Sequence, residues 1–98
     1  MRYRYRILMN GNGLFAIERK ACGFWAFTRL WRSLQAPGPK KDPDPERCRW
    51  YDPQTYGFDD PALFTDVRLA VRALQTLKDR DLRELQAEEW HPVMEDRL

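Results

Sequence analysis

The chain has 98 residues, 43% of them hydrophobic and 33% charged, a globular balance that allows one domain with one modest core and leaves no room for a second, catalytic domain. Its uninterrupted apolar runs are only a few residues long, as in Gly23-Phe24-Trp25-Ala26-Phe27, far short of the roughly 20 residues needed to span a bilayer. The net charge of +2 conceals an asymmetry: residues 1–41 hold nine Lys/Arg against Glu18 alone, a balance of +8, while the other 57 residues hold eight basic and fourteen acidic side chains, a balance of −6.

The opening Met1-Arg2-Tyr3-Arg4-Tyr5-Arg6 has no apolar signal region, so the expected location is a cytoplasm. From Arg2 to Met9, Tyr3, Tyr5, Ile7 and Met9 alternate with Arg2, Arg4 and Arg6, which is the period of a strand. Asn10-Gly11-Asn12-Gly13 then marks a tight hairpin, because these residues tolerate the positive φ that such turns require. The second strand is expected over residues 14–20, with Phe15 and Ile17 as its apolar alternates. After a break at Ala21-Cys22-Gly23, a third, aromatic-rich strand is expected over 24–32. It would carry Trp25, Phe27, Arg29 and Trp31 on one face. A sheet whose two faces are both partly apolar needs either a covering loop or a binding partner.

Residues 34–61 hold six of the seven prolines, so regular hydrogen bonding is repeatedly blocked and a long loop is expected. Trp50, Tyr51, Tyr56 and Phe58 are costly to leave in water and should pack back onto the sheet. Residues 40–46 have nothing to bury, which makes them the expected mobile segment. Helical spacing starts near Thr65, expected to cap with Asp66 beside it; an alternative start has Asp60 capping and Pro61 first. Val67, Ala70, Val71, Leu74 and Leu77 form the expected core stripe. Leu82 and Leu85 either continue this helix or begin a second one after Lys78-Asp79-Arg80-Asp81, whose charges are expected to pair locally. The tail, with Trp90, Val93 and Met94 around Pro92, could add a short fourth strand. The expected fold is α+β: a three-stranded antiparallel meander covered by one or two C-terminal helices, with a long Pro-rich loop, forming a single domain over 1–98.

Chemistry-bearing residues are few. His91 is the sole histidine and sits in a polar stretch before Pro92, a surface or capping position. Cys22 and Cys48 are expected to be reduced, and Cys22 has no accompanying His/Asn pattern to make it a nucleophile. Asp59-Asp60 and Glu88-Glu89 are adjacent in sequence and so point apart, which suits neither acid/base work nor chelation. No enzyme, metal site or cofactor is expected. What stands out is a basic and aromatic set, Arg2, Arg4, Arg6 and Arg29 with Trp25 and Trp31, residue types favoured at binding hot spots and also found in single-strand nucleic-acid binders.

Tyr5-Arg6-Ile7, Asn10-Gly11-Asn12-Gly13, Phe15-Ala16-Ile17-Glu18, Gly23-Phe24-Trp25 and Phe64-Thr65-Asp66, followed by Ala70-Val71 and Ala73-Leu74, resemble the small phage and prophage accessory proteins. The resemblance covers roughly residues 3–31 and 64–74; the Pro-rich insert departs from the compact pattern. It implies a three-stranded meander with one covering helix, and a class that includes anti-CRISPR and other anti-defence inhibitors, which occupy a surface of a host complex. The expected function is therefore a non-enzymatic inhibitor that binds a protein partner, a bacterial defence complex, in the host cytoplasm. The alternative is a small single-stranded nucleic-acid binder using the same basic sheet.

Overall fold

The computed structural model describes residues 2–22, 30–52, 60–88 and 94. The expected positions Trp25, Phe27, Arg29, Tyr56, Phe58, Asp59, Trp90, His91 and Val93 lie outside these residues. The described chain is an α+β fold in which an antiparallel sheet packs against one C-terminal helix.

Strand β1 (Arg2–Met9) pairs with β2 (Phe15–Cys22) along its whole length, from Met9 opposite Phe15 to Arg2 opposite Cys22. The turn is tied by Asn10, whose carboxamide oxygen accepts from the amides of Asn12 and Leu14 at 2.9 and 3.0 Å. Gly13 takes φ +76, a left-handed conformation open to glycine at little cost. The break expected at Ala21-Cys22 does not occur, because β1 is long enough to pair both residues.

Strand β3 is Arg32–Ala36, later than the third strand expected over 24–32, and Trp31 directly precedes it. It pairs with β2 through Arg32 opposite Arg19 and Ser33 opposite Glu18. Gln35 then faces both Arg49 of β4 (Arg49–Trp50) and Pro61 of β5 (Asp60–Pro61), so these two strands lie on opposite sides of β3. Phe64 exchanges two 2.8 Å backbone bonds with Phe15, and residues 60–64 thus fill the wedge where β2 and β3 diverge. The sheet order β1-β2-β3-β4 leaves β1 at one edge.

The stretch expected as a loop over 34–61 therefore contributes to three strands and a turn of 3-10 helix (Pro45–Arg47). Two of its prolines sit where no amide is needed: Pro45 opens the helical turn, capped by the Asp44 carboxylate, and Pro61 lies in a two-residue strand. Residues 40–46, expected to be mobile, are pinned instead. The Leu63 amide donates to Lys40 at 2.8 Å and the Asp42 amide to Leu63 at 2.7 Å. The Asp42 carboxylate receives the amide and hydroxyl of Thr65 at 2.9 and 2.7 Å. These bonds hold Asp42 at φ 49, the left-handed region that aspartate visits more readily than most residues.

Thr65 is thus spent on Asp42, and Asp66 caps the helix α1 (Val67–Glu88) through its carboxylate, which accepts from the Arg68 amide at 2.8 Å. The alternative start at Asp60-Pro61 is taken by β5. With no Gly or Pro inside it, α1 runs unbroken through Leu82 and Leu85, a single helix. Its buried stripe is Ala70, Ala73, Leu77 and Asp81, rotated from the expected one: Val67 and Val71 are exposed. The alanines let the helix axis sit close to the sheet, where Ile17, Leu34, Phe64 and Leu77 make the core and Leu74 packs at its margin. Met94, expected in a tail strand, is exposed and in no strand.

Candidate functional site

The register sorts the sheet's side chains onto two faces. Tyr3, Tyr5 and Ile7 stand opposite Ala21, Arg19 and Ile17 on the face that α1 covers; Arg2, Arg4 and Arg6 stand opposite Cys22, Lys20 and Glu18 on the other. All three β1 arginines are exposed. Arg6 is paired, at 2.6 Å from Glu18, and its guanidinium also lies 4.1 Å from the centre of the half-buried Trp31 ring. Lys20 approaches the same ring at 5.6 Å. Arg2 and Arg4 have no ion-pair partner among the described residues. Of the expected binding residues, the fold therefore gathers Arg2, Arg4, Arg6 and Trp31 on one open face, joined by Lys20. Trp25 and Arg29 lie outside the described residues. Lys20 was legible in principle, since a hairpin turning on Asn10–Gly13 places it opposite Arg4.

The covered face holds a buried polar network that periodicity could not announce. Asp81, 1% exposed, accepts the Tyr5 hydroxyl at 2.7 Å and the Trp50 indole N–H at 3.2 Å, and pairs with Arg19 at 2.9 Å. This is one place where the basic front and acidic back of the chain meet, and it corrects the expectation that the Lys78-Asp79-Arg80-Asp81 charges pair among themselves. Arg80 instead donates to the backbone carbonyls of Pro45 and Cys48 at 3.3 and 2.8 Å. The sequence signal for Asp81 was its position four residues past Leu77, on the apolar stripe. Arg19, steadied by Asp81, lies 4.1 Å from the Tyr3 ring centre and 4.7 Å from that of Trp50. Beyond Arg19 an open groove of about 870 Å³ runs between β3, β4 and the C-terminal half of α1, with Arg32, Arg47 and Arg49 along it. Trp50 packs on the core as expected; Tyr51 is exposed, 5.9 Å from the Arg32 guanidinium.

Cys22 and Cys48 are free thiols. Burial, with the Asp44 charge adding to it against the pull of Arg80, pushes the Cys48 thiol up to about 11. Burial first, then the hydrogen bond to Asp81 and its charge, raises the Tyr5 phenol far above its ordinary range. Both groups favour their neutral forms in the fold. Their contributions are fully present below the unfolded values, 9.0 and 10.0, and are lost as pH rises beyond them. Stability measured by urea unfolding is expected to fall from about pH 9 upward, and less steeply in Tyr5→Phe. A stability profile that stays flat to pH 11 contradicts this.

No family model, curated protein or solved structure matches this chain. Among the described residues, no helix is long and apolar enough to cross a membrane.

Proposed function

We propose that the chain is a non-enzymatic interaction protein whose open, arginine-bearing sheet face binds an acidic surface of a protein partner. The class of partner is the one the sequence resemblance implies, a bacterial defence complex in the host cytoplasm, blocked by occupation of its surface. The observation that supports this most is the exposure of Arg2 and Arg4 without a charge partner among the described residues, on the sheet face opposite the helix. Folding gains little from leaving two guanidiniums this way, whereas a bound carboxylate would take each in a charge-assisted pair. Arg6, Trp31 and Lys20 extend the same face.

Replacing Arg2, Arg4 and Arg6 together by alanine is expected to weaken capture of the partner from nuclease-treated bacterial lysate by about a hundredfold or more, with the fold intact by circular dichroism. Capture that matches the wild type overturns the surface assignment. A second reading, single-stranded nucleic-acid binding, rests on Trp31 beside Arg6 and Lys20. It requires oligonucleotide shifts that weaken steeply with salt, and no shift at low salt removes it. The stacked Arg6 occupies ring surface that a base would need, which favours the protein partner.

A further inference from the structure

Resting on the reading of β1 as part of a protein-binding surface, we infer that the partner contributes an extended strand of alternating acidic and apolar residues, which adds to the sheet along the free edge of β1. Three observations converge there. The first is the ladder itself. Asn10 donates its amide to the Leu14 carbonyl at 2.9 Å, and hydrogen-bonded and non-hydrogen-bonded pairs alternate along an antiparallel pair. With no bulge in the register from Met9–Phe15 to Arg2–Cys22, the backbone groups of Leu8, Arg6 and Arg4 turn toward β2, while those of Tyr3, Tyr5 and Ile7 turn outward. Phe15 confirms the phase from the other strand, since its amide and carbonyl point away from β1, to Phe64. Among the described residues nothing pairs with that outward row, and a regular eight-residue edge is a template for another strand.

The second observation is the apolar flank beside this edge. Val67, Val71, Lys78 and Leu82 share one side of α1 by their spacing. Lys78 places that side next to β1, because its ammonium lies 5.5 Å from the Tyr5 ring centre, whereas Arg80 on the opposite side reaches the 3-10 turn. Val67, Val71 and Leu82 are 46, 41 and 54% exposed, an apolar row on the flank of the helix. An added strand would set its inward side chains between this flank and Tyr5 and Ile7, and its outward ones beside Arg2, Arg4 and Arg6.

The third is charge, which selects the occupant. A second copy pairing β1 with β1 in phase would set arginine against arginine, Arg4 opposite Arg6 when the pairing centres on Tyr5, and like charges directly opposite destabilise a sheet. A strand with carboxylates at alternate positions meets the same row with attraction.

The test uses the whole chain and a synthetic peptide of alternating Glu and Val, with a control peptide carrying Lys for Glu. Amide exchange is followed residue by residue. The Glu peptide is expected to slow exchange at Tyr3, Tyr5 and Ile7 and to leave Arg4 and Arg6, already bonded to β2, unchanged; the Lys peptide is expected to do neither. Arg4→Glu and Val71→Asp, both at exposed positions, should each weaken the Glu peptide by about tenfold or more while the fold remains intact by circular dichroism. Binding that depends on Arg4 without slowing those three amides overturns strand addition and leaves the arginine face standing. An absence of binding at millimolar peptide overturns it as well. Slowed exchange brought on by protein concentration alone, with a dimer in sedimentation, would make a second copy the occupant and also overturn it. Failure of the broader reading is a separate result, namely partner capture that survives the loss of all three arginines.

Discussion

Asp81→Ala is expected to lower stability by about 3 kcal/mol or more, the loss that follows when one partner of a buried ion pair is removed. Asp81 is 1% exposed and satisfies three groups from three different strands: Tyr5 of β1, Arg19 of β2 and Trp50 of β4. Alanine would leave the Tyr5 hydroxyl and the Trp50 N–H without their acceptor, each at a desolvation cost of about 1–3 kcal/mol unless water enters. It would also leave Arg19 facing a cavity. The Arg19 side chain is still 19% exposed, so part of its charge can be rehydrated, which holds the estimate at the lower end of the range for buried pairs. A domain of this size has about 5–15 kcal/mol in all, so a loss of this size takes a large share of the total. Asp81→Asn keeps an acceptor for Tyr5 or Trp50 and gives up the ion pair, so its loss should be smaller. Urea unfolding of both variants decides the matter, and an Asp81→Ala protein within about 0.5 kcal/mol of wild type, the size of an ordinary surface change, would show that the network does not hold the helix to the sheet.

Phe64→Ala is expected to cost about 3–5 kcal/mol, the usual range for a fully buried aromatic ring. Phe64 is buried in the core beside Ile17 and Leu77, and its backbone bridges to Phe15 where the chain passes from sheet to helix. Truncation keeps the bridge and removes the ring beneath it, so the cavity opens at the point where α1 begins. The core around it is built largely of alanines, Ala62, Ala70 and Ala73, which have no spare length with which to fill the space. A midpoint shift in chemical denaturation with an unchanged slope is the expected signature. A loss below about 1 kcal/mol would mean that the site collapses around the missing ring.

These two residues also mark the limit of what one-dimensional patterns reveal. Strand β1, the hairpin at Asn10–Gly13 and the existence of a helix after residue 65 were legible because each rests on local rules: alternation, positive-φ turn residues, and spacing of three and four. The arginine face was legible for the same reason, since alternation alone puts Arg2, Arg4 and Arg6 on one side and the turn fixes what lies opposite. The stripe on α1 was misplaced because Val67, Val71 and Leu77 are all apolar, and periodicity cannot tell an apolar residue in the core from one on an exposed flank. The segment 40–46 was misread because its order comes from Leu63 and Thr65, some twenty residues away, and composition carries no record of such partners.

The amino-acid order by itself determined the first hairpin, the presence of a helix after residue 65, and on which side of β1 the positive charge falls. These depend on steric limits within a few residues, so they are written into the chain. Only the tertiary structure decided that Asp81 is buried and satisfied and that Pro61 pairs with β3 in the sheet. Each of those is a contact between residues distant in sequence, where long-range packing, with the entropy already spent on closing the chain, settles which of several locally equivalent arrangements wins.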